Sequence, residues 1–288
     1  MGETRGKGAG DENFPVASLL IERRLRPVVL DYYAAARAAD DIADDPVLAA
    51  DEKLRRLDRF EAALAGRSGA ADTEVAARAG RALAAAGIPV ERATRLLRAF
   101  RRDSVEGRCA GWPDLMAYCA DSAAPVGRFL LDLHREDPCD YPAADALCAA
   151  LQILNHLQDC GDDYRRLDRV YLPGDWLAAE GVAVADLAAS RSSPSLRRVL
   201  DRCLAGVDAL LEVAVPLPAR LHSTRLALET AAILGLAEAL ARELKQRDPL
   251  AERVRLSRPA MLWRGGTAAL RCLLFRALRP ADARRTTA

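Results

Sequence analysis

In ALCAALQILNHLQDCGDDY, residues 146 to 164, apolar side chains fill most positions, and among the polar ones Gln152, Asn155, Asp159 and Asp163 recur one turn apart. Intervals of three and four residues place side chains on one face of an α-helix, whereas a strand would alternate by two. The segment therefore reads as a helix from Asp145 to about Tyr164. Because its surroundings look buried, a polar stripe along it fits a site it lines better than a surface it decorates.

The same period extends outward in both directions. Leu54, Leu57, Phe60 and Leu64 form an apolar stripe closed by Gly66, and a further helix ends at Gly87. Pro27 suits a first helical turn and Pro46 a stop, which predicts one helix over Val28 to Asp45. Pro89 opens another, Pro125 bends the segment that contains it, Pro194 starts the next, and the prolines at 216 and 218 separate it from a long helix over 219–246. Alternating strand-type runs are missing and RVYLPGDW reads as an irregular link, so the chain is expected to be all-α. Eight to ten helices should pack around one central cavity or core. The boundaries expected are a disordered Gly- and charge-rich start over 1–10, one domain over 11–262 and a basic amphipathic tail over 263–288.

Bulk properties narrow the function. Half of the 288 residues are hydrophobic, enough for one large domain. Lys and Arg number 42 against 41 Asp and Glu, so no overall field draws the chain to nucleic acid. Seven cysteines without a CxxC pair fit neither a zinc cluster nor a disulfide framework. No signal peptide and no membrane-spanning run are evident, and a cytoplasmic location is expected.

Two carboxylate ladders stand out. Asp40 and Asp44 are four apart on the first helix, as are Asp159 and Asp163 on the later one, and Asn155 extends the second ladder by a turn. Carboxylates at that spacing repel each other by a few tenths of a kcal/mol per pair. Those at Asp40 to Asp45 also oppose the negative end of the helix dipole, so a positive partner is required. The alternative for that cluster is a solvated helix end. Mg2+ fits both ladders, since it takes oxygen ligands and binds through one or two carboxylates plus substrate phosphate. Two ladders facing one cavity could hold it around a diphosphate leaving group.

With those residues in place, YYAAARAADDIAD (32–44) and LQILNHLQDCGDDYRRLDRVYLP (151–173) resemble, in order and separation, the two signature segments of the squalene and phytoene synthase family. The similarity covers about Glu12 to Arg258. ENFPVAS (12–18) and SAAPVGRF (122–129) resemble its hydroxysqualene synthase branch. The resemblance implies an isoprenoid (terpenoid) synthase fold, with Asp40, Asp44, Asn155, Asp159 and Asp163 around Mg2+ and diphosphate. It also assigns a diphosphate contact to Arg37, substrate-site places to Tyr33, Gln152 and Tyr171, a further contact to Arg253, the start of a substrate lid to Asn13 and Phe14, and an acidic place near the cavity to Asp103. CGDD after Asp159 and the alanines of SAAP depart from the wider family and bear on pocket shape. His156 lies off the ladder and is expected to pack or hydrogen-bond.

The implied reaction is ionisation of presqualene diphosphate, rearrangement, and capture by water to give hydroxysqualene. The alternative within the fold is head-to-head condensation of two farnesyl diphosphates to presqualene diphosphate or squalene. The alternative of another class is a non-catalytic helical partner of the pathway enzymes. In TAALRCLLFRALRP (267–280), Leu270, Leu273, Leu274, Ala277 and Leu278 share a face and Arg271, Arg276 and Arg279 lie off it. That face either rests on the inner surface of a membrane as a peripheral contact or docks on the protein body.

Overall fold

The computed structural model describes residues 21–67 and 71–278, and Asn13 and Phe14 lie outside that range. Among the described residues there are twelve α-helices, numbered α1 to α12 along the chain. Helix α1 spans Arg26–Asp44, with Pro27 in its first turn. Helices α2 (Ala50–Leu64), α3 (Glu74–Ala86) and α4 (Glu91–Val105) follow. Gly66 and Gly87 sit at φ +69° and +70°, the left-handed conformation that ends α2 and α3 at little cost only with glycine.

These four helices enclose one core. Val29, Tyr32, Ala35 and Ala39 of α1 pack on Leu57, Phe60 and Leu64 of α2, on Ala76, Ala79 and Leu83 of α3, and on Leu96 and Leu97 of α4. Each fully buried Leu there contributes about 1.5–3 kcal/mol. Tyr32 stacks on Phe129 with ring centroids 4.0 Å apart and donates its hydroxyl to the Arg92 carbonyl.

Helices α5 (Trp112–Ser122) and α6 (Ala124–Leu133) are the two halves of the segment around Pro125, which starts the second half rather than bending a continuous helix. The long helix α7 covers Tyr141–Leu167, a turn longer at its start than the sequence suggested. It forms a second core with α5, α9 (Pro194–Ala214) and α11 (Thr224–Gln246), centred on residues such as Leu154, Leu157, Leu200, Leu204 and Leu240. The short helices α8 (Gly174–Ala179) and α10 (Leu217–Arg220) lie in the connections on either side of α9.

RVYLPGDW is not wholly irregular. Val170–Pro173 forms strand β2, which pairs in parallel with strand β1, Arg108–Cys109. Val170 N–H donates to the Gly107 carbonyl at 2.7 Å, and Arg108 reaches the Asp168 carboxylate at 2.6 Å. This ribbon fastens the end of α7 to the end of α4. The last helix, α12, spans Arg258–Leu278, crossing the boundary expected at 262/263, and packs along α11.

Candidate active site

The two ladders belong to helices of different cores, α1 in one and α7 in the other. On α1, a rotation of about 100° per residue puts Tyr33, Arg37, Asp40 and Asp44 on one side, separate from the buried Tyr32, Ala35, Ala39 and Ala43. On α7, Gln152, Asn155, His156, Asp159 and Asp163 likewise share a face. The polar residues of both faces are half-buried, except His156, which is buried.

A continuous set of contacts links the two ladders. His156 stacks on Tyr171 with ring centroids 3.7 Å apart and is 3.2 Å from the Gln152 amide nitrogen. Tyr171 donates its hydroxyl to Asp103 at 3.0 Å, and Tyr118 donates to the other oxygen of the same carboxylate at 2.8 Å. Next to them, Arg169 points from the end of α7 to the end of α1, where it binds the Asp44 carboxylate and, at 3.0 Å, the Ala43 carbonyl. Its third contact is to the Asp103 carbonyl at 3.3 Å. Lys53 also donates to the Ala43 carbonyl, at 2.7 Å. Arg169 and Lys53 thus supply the positive charge that an acidic helix C-terminus calls for.

Arg37 spans the acidic turn, with one nitrogen 3.0 Å from Asp40 and the other 3.0 Å from Asp41. Burial and the nearby Asp44 carboxylate push the Asp40 carboxyl up to about 7, against the pull of Arg37. A third of the Asp40 side chain remains accessible to solvent. Burial, and then the Arg169 charge, lower His156 to about 3, so its ring is neutral at physiological pH. Burial raises Asp103 as well, opposed by Arg169 and the two tyrosine hydroxyls. A buried acid keeps its charge at less cost when donors surround it in this way.

The structure brings together Arg37, Asp40 and Asp44 with Asp103, Gln152 and Tyr171. Asn155, Asp159 and Asp163 continue the α7 face on which Gln152 and His156 lie. Arg253 is exposed, and its neighbours Leu250 and Val254 pack away from the ladder, with the Val254 carbonyl accepting from Gln158. It is not among the residues gathered here. Sequence reasoning passed over Arg169 and Tyr118, whose partners are remote in sequence, although an arginine six residues after the second ladder was a signal.

Among the described residues no three acidic, histidine or cysteine side chains are close enough to hold a metal by themselves. Mg2+ usually binds through one or two carboxylates, with waters and substrate phosphate as its other ligands. The donor set fits too, since oxygen ligands predominate and the repulsion between Asp40 and Asp44 would be relieved by a cation.

Known proteins resemble this chain over most of its length. Residues 8–260 match the family model described as Squalene/phytoene synthase. The chain is 48% identical to a hydroxysqualene synthase of Rhodopseudomonas palustris over 87% of its own length and 85% of that protein. Identity is 44% to the hydroxysqualene synthase of Sinorhizobium fredii, covering 88% and 87%. The crystal structure of squalene synthase HpnC from Alicyclobacillus acidocaldarius superposes with TM-score 0.70 at 30% identity, over 80% of this chain and 87% of that one.

Proposed function

Because the chain belongs to the squalene/phytoene synthase family and has its all-α isoprenoid synthase fold, we infer that it ionises presqualene diphosphate and captures the rearranged cation with water, releasing hydroxysqualene and diphosphate. The observation that carries this reading is the 44–48% identity, over nearly the whole chain, to relatives named hydroxysqualene synthase.

Asp40, Asp44, Asn155, Asp159 and Asp163 would hold Mg2+, which when bound supplies positive charge opposite the departing diphosphate. Arg37 adds a guanidinium fork suited to phosphate oxygens, and Arg169 holds the Asp44 carboxylate in place. Tyr33, Gln152 and Tyr171 line the substrate space, with Asp103 and Tyr118 fixing the Tyr171 hydroxyl. Asn13 and Phe14 are further proposed substrate contacts, and Arg253, exposed and apart from the gathered residues, is not. As the substrate's carbon–oxygen bond breaks, the leaving diphosphate takes the electron pair. Water oxygen then bonds to the rearranged carbon and loses one proton, so no reductant is consumed. Among the described residues no helix is long and apolar enough to cross a membrane. The reading places the enzyme in the cytoplasm, in peripheral contact with the membrane that holds its hydrophobic substrate, and within reach of the enzymes before and after it.

Purified protein given presqualene diphosphate and Mg2+ without NADPH should yield hydroxysqualene, its hydroxyl labelled from H2-18O. Conversion of farnesyl diphosphate to presqualene diphosphate or squalene would instead assign the condensation. Pathway flux indifferent to Asp159→Ala would leave only a partner role.

A further inference from the structure

Helix α12 docks on α11 through its small residues, not through its leucines. Gly235 of α11 lies so close to α12 that an added Cβ would come within 2.8 Å of the Ala268 methyl. Buried Gly265 faces Ala232 and Leu236, and half-buried Cys272 lies 3.8 Å from the Ala227 carbonyl. Arg276 fastens the last turn by donating to the Leu221, His222 and Pro218 carbonyls.

The opposite side is left open. Leu262, Trp263, Leu270, Leu273, Leu274 and Leu278 are between 44% and 84% exposed. On a helix turning about 100° per residue they occupy one arc of roughly 160°, which Pro259, Gly266 and Ala277 share. Exposed Arg264 and Arg271 border one edge of that arc and Arg258 the start of the other, and α12 contains no acidic residue. The ten residues that follow add Arg279, Arg284 and Arg285 against a single Asp282. At about 1.5 Å per residue the helix presents a strip some 31 Å long, more contiguous apolar surface than scattered leucines on a soluble protein require.

We propose that this outward face of α12 seats the enzyme on an anionic lipid bilayer, with the leucines and Trp263 entering the headgroup boundary and the arginines meeting lipid phosphates. An uncharged apolar arc with cationic edges matches the layered chemistry of that interface, apolar below and anionic above. The indole of Trp263 has the amphipathic character favoured at headgroup depth. The proposal deepens the function inferred above, and rests on it for its purpose only, because lipid binding is read without turnover.

The test is cosedimentation of the full chain with phosphatidylcholine vesicles containing either no phosphatidylglycerol or about 30% of it. Wild-type protein should partition onto the anionic vesicles, less so at high salt. Trp263→Glu with Leu274→Glu should lower that partition at least about tenfold. Arg264→Glu with Arg271→Glu should bring it down to the level on phosphatidylcholine alone. Because all four side chains are exposed, unchanged circular dichroism and an unchanged melting temperature should accompany both losses. Wild-type protein that stays in the supernatant at every composition, or glutamate variants that sediment like wild type, would overturn the proposal. So would a lipid-free dimer that the Trp263→Glu and Leu274→Glu pair splits while no vesicle is bound, which would assign the face to a second copy of the chain. Hydroxysqualene formation from detergent-dispersed substrate should persist in both variants, so failure of the lipid seat and failure of the inferred reaction are separately visible.

Discussion

Burial and the Asp44 charge hold the Asp40 carboxyl near 7, well above its unfolded value of 3.8. Between those two values the folded protein binds more protons than the unfolded chain, so this group's contribution to stability falls as pH rises from about 4 through about 7. A third of the side chain meets solvent, and screening leaves an effect of roughly 1 kcal/mol. Asp40→Asn removes that cost. In EDTA the variant should melt about 3 °C above wild type at pH 8, and no higher than wild type at pH 4. Its turnover with Mg2+ should fall by about a thousandfold or more. Calorimetry at the two pH values checks the first part, and an advantage of equal size at both would sink the electrostatic account. The ladder residues themselves were legible in the sequence because carboxylates at turn spacing repel each other, and an apolar helix tolerates them only where a cation or a cleft receives them. Arg169 was not, because its partners Asp44 and Asp103 come from α1 and α4 and only the folded chain brings them together.

At the scale of elements, the periodic helices and their glycine and proline ends could be read directly, as Gly87 closing α3 and Pro194 opening α9 illustrate. Two things could not. Strands β1 and β2 are two and four residues long and pair only because α4 and α7 end side by side, so neither carries an alternation of its own. The docked face of α12 consists of Gly265, Ala268 and Cys272, which hydropathy scores as neutral, while its leucines drew attention to the face that stays open. The junction of α1 with the end of α7 depends chiefly on Arg169, whose side chain is only 7% exposed. Arg169→Met should cost about 3 kcal/mol in urea denaturation, because it leaves the Asp44 carboxylate without its guanidinium partner and the Ala43 carbonyl with Lys53 alone. Adding Asp44→Asn to that variant should recover part of the loss, as coupled residues do. Strict additivity of the two changes would mean that the pair does not join the elements.

For the whole molecule, two cores meet along a seam, with one carboxylate ladder anchored in each. Ligands that engage both ladders should therefore stabilise the protein as a unit, and because Mg2+ binds through one or two carboxylates plus substrate phosphate the cation and the phosphate should act together. Mg2+ alone should raise the melting temperature little. Inorganic pyrophosphate with EDTA should do no more. The two combined, at about ten times their joint dissociation constant, should contribute about 1.4 kcal/mol, or roughly 3 to 5 °C. Asp159→Asn should abolish the combined shift and change the ligand-free melting temperature by much less, since that side chain is half-buried and off the core face of α7. A full shift from pyrophosphate in EDTA would show that arginines alone bind the diphosphate, and the pairing of acidic ladders across the seam would then need another purpose.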